Sequence, residues 1–223
     1  MKHVLLSFVL LILVVAPAHA ADPAEIVFIF QKQKDPTKTQ TDADKVAAAL
    51  STEIGLPVRA TVPGDYSASV AALVAKKADF AYVSSLPFLL ARRDGGATLL
   101  LAEQRTDARG VARTDYDSVF VVPVDSPLKD VPDLISQSKT LRFCFTSPTS
   151  TSGYIMPYYR FVKEGLLKPG QDVRDVFSQT SFGGGYTQAL EQLLAGRADV
   201  AAVSDYVMEG AKVDTYLKPE QRD

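Results

Sequence analysis

The sequence has few of the residues on which most enzyme chemistry depends. It contains one cysteine, Cys144, and no tryptophan, and its two histidines, His3 and His19, both fall within the first twenty residues. The rest of the chain therefore has no histidine for a Ser-His-Asp triad or an ordinary zinc site. A lone cysteine cannot form an internal disulfide, so the chain needs a sufficient hydrophobic core of its own. We expect no catalytic residues, no metal and no cofactor.

The chain also lacks an excess of positive charge. It has 24 lysines and arginines against 26 aspartates and glutamates, which gives a formal net charge of −2. Because a nucleic-acid-binding protein needs a basic face, we do not expect nucleic acid as a partner. The chain has 223 residues, of which 47% are hydrophobic. This composition is typical of a globular protein, with room for one large domain or two small lobes.

Long hydrophobic runs are missing except near the start. Lys2 is followed by an apolar run over residues 4–15, interrupted only by Ser7, and then by the small residues of Ala18-His19-Ala20. This order is typical of a secretory signal peptide, and the run is too short for a comfortable membrane span. No cysteine follows the cleavage point to carry a lipid anchor. We predict a signal peptide over residues 1–20, cleaved after Ala20, and a periplasmic mature chain.

Strand and helix patterns alternate along the rest of the sequence. Short apolar runs predict strands at 26–30, 58–62, 80–83, 98–103, 118–124, 141–145, 178–182 and 200–203. Helical patterns lie between most of them, and a polar stretch over 104–115 interrupts the alternation. The pattern predicts an α/β fold with two lobes, residues 21–112 and 113–206, and a ligand cleft between them. Residues 207–223 are interpreted as the start of a return to the first lobe, apparently truncated.

The most informative stretch is the turn after the predicted strand 141–145. Ser150, Thr151, Ser152 and Gly153 lie between that strand and a helix. The first N–H groups of a helix have no partner within it, and they carry the positive end of the helix dipole. Together with three hydroxyls they predict an anion site made of neutral donors. The alternative is that the hydroxyls only cap the helix.

Two stretches of the chain, 66–84 and 186–204, resemble each other. Each begins with a tyrosine at a helix start and runs through an Ala-Asp pair to a buried strand that ends in Val-Ser. Shared α/β composition could produce this by chance. If instead the two lobes are similar and face each other, Tyr66 and Tyr186 would meet the Ser-Thr-Ser turn at the cleft, beyond the carboxyl ends of the strands.

Two further residues are candidates for the ligand site. Asp205 follows the last predicted strand and would meet the amine of an aminoalkyl ligand, or it would cap the segment after it. Tyr116 falls at the predicted crossing between the lobes and would line the cleft or pack there.

The chain resembles the PhnD-like periplasmic binding proteins, which serve ABC transporters of phosphate, phosphite and phosphonate. The resemblance lies in four segments: Asp35-Pro36-Thr37-Lys38, Val62-Pro63-Gly64-Asp65-Tyr66, residues 78–83 (ADFAYV), and above all Ser147 to Tyr154 (SPTSTSGY). It implies a two-lobed, type II-like periplasmic-binding-protein fold. It also implies that Ser150, Thr151 and Ser152 hold the phosphorus oxyanion and that Tyr66 contacts it.

The sequence departs from the family's pattern at two places. The family often has a histidine where this chain has Tyr186, and a tyrosine can donate a hydrogen bond but carries no positive charge. Family members also usually run some tens of residues beyond the point where this sequence stops.

The resemblance implies a monomeric binding protein that closes on a small phosphorus oxyanion and delivers it to a membrane ABC permease. One alternative is a ligand-sensing module for a membrane histidine kinase, and another is a truncated remnant that binds nothing. A hydrolase with Ser150 or Ser152 as nucleophile is disfavoured, because it would need a histidine or a G-x-S-x-G elbow.

Overall fold

The computed structural model describes residues 25–32, 36–107, 109–208 and 213–221. The predicted signal peptide, residues 1–20, lies outside these ranges. Within them, every helix is too short or too polar to cross a bilayer. The described chain forms two α/β units, each built around its own sheet.

The first unit is a three-stranded parallel sheet with helices after each strand. Its first strand, β1, is a continuous apolar run, which is typical of the central strand of a parallel sheet. The sheet order is β2-β1-β3, and both pairings are parallel. The elements are β1 (Ile26–Phe30), α1 (Pro36–Ile54), β2 (Val58–Thr61), α2 (Tyr66–Val74), β3 (Phe80–Tyr82) and α3 (Ser85–Gly95).

A two-stranded antiparallel hairpin connects the two units. It consists of β4 (Arg105–Thr106) and β5 (Ala112–Arg113). Its position matches the polar stretch that the sequence places between the lobes. It also brings the side chains of Arg105 and Arg113 next to each other in the register of the hairpin.

The second unit is a four-stranded sheet in the order β6-β9-β7-β8. β6 runs antiparallel to β9, and the other pairings are parallel. The elements are β6 (Ser118–Val121), α4 (Val131–Gln137), β7 (Arg142–Phe145), α5 (Met156–Lys163), β8 (Gln179–Phe182), α6 (Tyr186–Leu194), β9 (Val200–Ser204) and α7 (Val213–Tyr216). A π-helix over Thr151–Ile155 leads directly into α5.

The repeated sequence pattern corresponds to a repeated structure. Helices α2 and α6 are both nine residues long and begin at Tyr66 and Tyr186. β1 lies between β2 and β3, and β7 likewise lies between β8 and β9. The two aspartates of the repeat have the same role, since Asp79 accepts from the Val27 N–H at 2.8 Å and Asp199 accepts from the Arg142 N–H at 2.7 Å. We therefore interpret the two units as similar lobes.

Aromatic side chains fill the core of the second unit. Phe143 and Phe145 on β7 stack at a centroid distance of 4.3 Å, and Phe161 from α5 meets Phe143 edge-on at 5.7 Å. All three are at most 1% exposed. Aromatic pairs in such geometry stabilise a core beyond the area they bury. β7 is therefore held rigidly, and so is the start of the turn that follows it.

The predicted strand over 98–103 is wrong. Residues 97–104 have no regular secondary structure, and Leu99, Leu100 and Leu101 are 66%, 71% and 84% exposed. A strand needs a neighbour that satisfies its backbone N–H and C=O groups. Among the described residues, no strand pairs with this stretch. Apolar character alone therefore did not decide its structure.

One predicted strand boundary also moves. Strand β6 ends at Val121 rather than at residue 124, because Pro123 has no N–H to continue the ladder. Helix α1 begins at Pro36, since proline is well tolerated in a first helical turn. Between α5 and β8 the chain forms a 3₁₀ turn, Val173–Asp175.

Candidate anion-binding site

The Ser-Thr-Ser turn forms the N-terminus of the π-helix that precedes α5. Ser150 is its N-cap, and the Ser150 Oγ accepts from the Gly153 N–H at 3.0 Å. The Thr146 N–H in turn donates to the Gly153 carbonyl at 3.1 Å. The capping interpretation therefore holds for the Ser150 hydroxyl. Its side chain is fully buried, and it fixes the shape of the turn.

Gly153 is required by close packing within this turn. A Cβ at this position would lie 2.2 Å from Thr146 Oγ1 and 2.9 Å from Ser150 Oγ. Both distances are shorter than real Cβ contacts. A glycine is thus the residue that lets the helix start fold tightly against the end of β7.

The other two hydroxyls of the turn reach other elements. Thr151 Oγ1 accepts from the Leu86 N–H at 2.7 Å, across the boundary between the two units. Ser152 Oγ lies 2.8 Å from the Tyr186 hydroxyl, at the start of α6. Thr151 accepts with one lone pair, so its own proton is still available to a ligand.

Helix α3 begins opposite the turn. Its N-cap, Ser84, makes no side-chain capping bond, and Ser84 N and Oγ both donate to Gln31 Oε1, at 3.0 and 3.2 Å. Gln31 also hydrogen-bonds to the Tyr66 phenol. A hydrogen-bond chain with two backbone steps therefore runs through this region. Tyr66 and Ser84 meet at Gln31, and the backbone leads from Ser84 to Leu86. The Leu86 N–H binds Thr151, and the next residue, Ser152, meets Tyr186. This hydrogen-bond chain connects the N-termini of α2, α3, the π-helix and α6.

Both tyrosines of this chain are buried. Tyr66 is 1% exposed and Tyr186 is 5% exposed. Burial is the main cause that raises the pKa of each phenol, and the neighbouring Tyr206 adds to it, because one phenolate disfavours another close by. Both phenols therefore stay protonated at neutral pH and can donate to an anion. Neither contributes positive charge.

A cluster of aromatic and charged side chains continues from Tyr186. The Tyr206 ring lies 5.8 Å from the Tyr186 ring and 5.5 Å from that of Tyr116, edge-on in both cases. The Arg105 guanidinium lies over the Tyr206 ring, 3.9 Å from its centroid. Such a cation–π contact holds the charge close to the site.

Arg105 is itself anchored from the first unit. Arg105 Nη2 donates to Glu103 Oε2 at 2.6 Å and to the Tyr82 hydroxyl at 3.0 Å. Burial is the largest single influence on the pKa of Arg105 and lowers it, but the hydrogen bond to Glu103 and the interactions with Tyr206 and Tyr82 together outweigh burial, so the pKa is raised. Burial and the hydrogen bond with Glu103 raise the pKa of Tyr82 to about 12. Arg105 is therefore charged and Tyr82 neutral at physiological pH.

Asp205 lies at this cluster but is already engaged. Its Oδ1 accepts from the Tyr206 N–H at 2.8 Å and from the Ser204 hydroxyl at 3.1 Å. Its Oδ2 lies 3.6 Å from Arg113 Nη1. The local-cap interpretation of Asp205 thus has direct support, and the paired carboxylate is a weaker partner for a ligand amine.

Sequence reasoning missed Gln31, Arg105 and Tyr206. Gln31 is 3% exposed directly after β1, and a polar residue at the carboxyl end of a central parallel strand is a signal that could have found it. Arg105 lies in the polar stretch over 104–115, where no local pattern marks it as part of a site. Tyr206 follows Asp205 in the sequence, but no local pattern indicates that it contacts Tyr186.

Two other kinds of site, a metal site and a cavity, are alternatives to these helix starts. No group of three or more His, Cys, Asp or Glu side chains in the described ranges is arranged to hold a metal ion. A cavity of about 560 Å³ lies between β6, α4 and α5, and none of the turn residues 150–153 lines it. The hydrogen-bonded helix starts, rather than this cavity, mark the candidate site.

Comparison with known protein families adds an independent observation. A family model described as the periplasmic substrate-binding protein of phosphonate ABC transporters matches residues 28–221. The chain belongs to this family. Its match to the periplasmic phosphonate-binding family includes every described element except the first two residues of β1.

Individual members of the family are distant from this chain. The phosphate-import protein PhnD of Mycolicibacterium smegmatis is 25% identical over 189 residues, which is 80% of this chain and 54% of that protein. The phosphonates-binding periplasmic protein of Escherichia coli is 28% identical over 118 residues, 52% of this chain and 34% of that protein. The chain thus spans about half the length of the first relative and about a third of the length of the second.

Solved structures confirm the two-lobed α/β fold. A binding protein component of a phosphonate ABC transporter from Pseudomonas aeruginosa matches with a TM-score of 0.72 and 22% identity, over 90% of this chain and 63% of its own. PhnD1 from Prochlorococcus marinus, solved in complex with methylphosphonate, matches with a TM-score of 0.71 and 20% identity, over 88% and 67%. The predicted fold class is therefore confirmed.

Proposed function

We propose that this chain is the periplasmic substrate-binding component of an ABC importer, and that it binds phosphonate, phosphite or a related phosphorus oxyanion. The observation that carries the proposal is the hydrogen-bond chain that joins four helix N-termini through Tyr66, Thr151, Ser152 and Tyr186. Helix N-termini attract anions, and several that meet at one place make a site for an oxyanion.

The ligand is held by neutral donors in this proposal. Thr151 and Ser152 supply hydroxyls, Tyr66 and Tyr186 supply phenols, and the first N–H groups of the π-helix complete the set. Hydrogen bonds to a charged group are each worth about 1.5–3 kcal/mol, so a few of them suffice for tight binding. The Ser150 hydroxyl caps the turn and so does not contact the ligand in this proposal. Gly153 allows the turn to pack closely and has no side chain to offer a ligand.

Binding and lobe closure are one event in this mechanism. Tyr66 and Leu86 belong to the first lobe, proposed as residues 21–112, and the turn and Tyr186 belong to the second, proposed as 113–206. The bond between the Leu86 N–H and Thr151 forms only when the lobes approach each other. A ligand that bridges the same elements favours the closed arrangement, which is hinge closure.

The compartment and the partners follow from the same proposal. Residues 1–20 have the order of a secretory signal, with cleavage after Ala20. The closed protein acts as a monomer and presents its ligand to a membrane ABC permease without a chemical step. Membership of a family of ABC transporter components favours this role over a sensing module for a kinase.

A thermal-shift series tests the proposal. The purified chain is melted alone and with phosphite, methylphosphonate, phosphate or sulfate. A ligand at a hundred times its Kd stabilises by about 2.7 kcal/mol, which for a domain of this size raises the Tm by about 5–10 °C. We expect that rise with at least one phosphorus oxyanion and not with sulfate. A sharp melt that none of the phosphorus compounds shifts would contradict the proposal.

A further inference from the structure

A small cavity lies beside the candidate anion site. Its volume is about 30 Å³, and Arg105, Arg113, Tyr116, Asp205 and Tyr206 contribute to its wall. A cavity holds one water molecule once it offers about 10–15 Å³, so this one accommodates a group of about two heavy atoms beyond the entrance. It is thus large enough for a carbonyl, or for the two oxygens of a carboxylate whose carbon lies at the entrance.

Two residues of the cavity wall each have a polar atom that is buried without a partner in the described chain. The atoms are Arg105 Nη1 and the Tyr116 hydroxyl. Buried polar groups nearly always have hydrogen-bond partners, so an exception indicates a missing acceptor or donor. The guanidinium can only donate, and a phenol can donate as well. A single hydrogen-bond acceptor could therefore satisfy both atoms.

The carboxylates around the cavity are already paired. Asp205 accepts from its own segment and faces Arg113 at 3.6 Å. Asp107 binds Arg109 at 2.8 Å. Asp115 and Asp117 contact Arg113, and their side chains are 78% and 70% exposed, so solvent screens them strongly. An ammonium group in the cavity would face the Arg105 charge and leave Arg105 Nη1 without an acceptor.

The cavity lies next to the proposed oxyanion contacts. Tyr206, which forms part of its wall, packs edge-on against Tyr186 at 5.8 Å. The Tyr186 hydroxyl lies 2.8 Å from Ser152 in the anion turn. A ligand anchored at the turn would reach the cavity past the Tyr186 and Tyr206 rings.

We propose that this cavity receives a second, hydrogen-bond-accepting group of the ligand, and that Arg105 and Tyr116 select such a group over an ammonium. The inference rests on the proposed function and makes it narrower. The substrate class becomes phosphonates with a carboxylate or carbonyl near the phosphorus atom, rather than aminoalkyl phosphonates.

Isothermal titration with four matched ligands tests the inference. Methylphosphonate has no second group, phosphonoacetate has a carboxylate, 2-oxopropylphosphonate has an uncharged carbonyl, and 2-aminoethylphosphonate has an ammonium. We expect both acceptor ligands to bind about tenfold or more tightly than the amine, which is the effect of one hydrogen bond to a charged group. The carbonyl ligand separates hydrogen bonding from simple charge attraction.

Two variants locate the effect. Tyr116→Phe removes an unpartnered hydroxyl, so we expect an unchanged Tm. Arg105→Lys keeps the charge but removes the planar donor. Each should weaken the acceptor ligands about five- to tenfold and change methylphosphonate affinity by less than about threefold. Tyr159→Phe, at an exposed tyrosine of α5, is the matched control and should change none of them.

The outcomes distinguish the inference from the function on which it rests. If methylphosphonate binds but the amine ligand equals or exceeds the acceptor ligands, the inference is wrong and the proposed function stands. The same holds if both variants leave the acceptor ligands unchanged, since the cavity then holds only water. If no phosphonate binds at all, the proposed function fails and the inference fails with it.

Discussion

Thr151 accepts a hydrogen bond of 2.7 Å from the Leu86 N–H, although the two residues are 65 positions apart and belong to different lobes. The contact joins the N-terminus of α3 to the anion turn. It is a polar contact between the two faces that the proposed ligand would bridge. It therefore makes Thr151 the residue whose change should separate binding from folding.

Thr151→Val keeps the shape of the side chain but removes its hydroxyl. We expect the variant to fold and to lose about 1–3 kcal/mol of affinity for the best phosphorus oxyanion, or about 5- to 150-fold in Kd. Titration calorimetry measures the loss. Thr149→Val is the matched control, because the Thr149 hydroxyl hydrogen-bonds with Ser147 within the same turn. Equal Kd values for Thr151→Val and the wild type would remove Thr151 from the site.

Gly153→Ala should destabilise the protein through a direct clash. The new Cβ would lie 2.2 Å from Thr146 Oγ1, between groups that are fully buried. Overpacking of this kind typically costs about 1–3 kcal/mol, which urea denaturation detects. Gly64→Ala is the control, since nothing lies within 4 Å of a Cβ there. A Gly153→Ala variant as stable as Gly64→Ala would contradict the described turn.

The sequence predicted most of the fold because its signals are local. The buried strands, the helix starts at Tyr66 and Tyr186 and the Ser-Thr-Ser turn all appear as short patterns of apolar and capping residues. The strand predicted at 98–103 failed because pairing requires a partner strand elsewhere, and no local pattern reports it.

The site was predicted in part for the same reason. The turn and the two tyrosines follow from helix-start chemistry, and the structure brings them together. The contact from Leu86 to Thr151 and the packing of Arg105 on Tyr206 depend on how the lobes meet. Those contacts join residues far apart in the chain, so periodicity and spacing could not indicate them.

Alkaline pH should weaken the fold through the buried tyrosines. Burial raises the pKa of Tyr66 and Tyr186, and together with Glu103 it raises the pKa of Tyr82 to about 12, whereas tyrosines of the unfolded chain ionise near 10. Below pH 10 both states keep these protons. Above it the unfolded chain loses them first, so the free energy of unfolding falls as pH rises.

Urea denaturation between pH 8 and pH 11 checks this expectation. The contribution of these tyrosines to the free energy of unfolding should be constant up to about pH 10 and should then decline. Tyr66→Phe should lessen the decline relative to wild type, and Tyr159→Phe, at a side chain that is 59% exposed, should not. If Tyr66→Phe and wild type decline equally between pH 10 and pH 11, the buried environment of Tyr66 is wrong.

The exposed leucines should promote self-association without affecting the site. Leu99, Leu100 and Leu101 form a run that is at least 66% exposed, and contiguous exposed apolar side chains favour association. We expect the chain to be monomeric at the concentrations of a binding assay and to associate weakly at much higher ones. There Leu100→Ser should reduce the associated fraction in analytical ultracentrifugation, and it should leave ligand affinity within about twofold. Leu56→Ser, at an isolated leucine that is 40% exposed, serves as the comparison. If the two variants associate to the same extent, the leucine run is not the surface through which the molecules associate.

The most direct test of the account is amide chemical-shift mapping of the ¹⁵N-labelled chain during titration with methylphosphonate. The account predicts saturable changes in the amide chemical shifts of Leu86, of residues 151–154 and of the start of α6. Sodium sulfate is the control and should leave these chemical shifts unchanged. The amides of Gly64 and Gly170, outside the hydrogen-bond chain, should hardly move. Saturable binding that shifts a different set of amides, with Leu86 and the turn unchanged, would contradict the central claim that a phosphorus oxyanion binds where these helices begin.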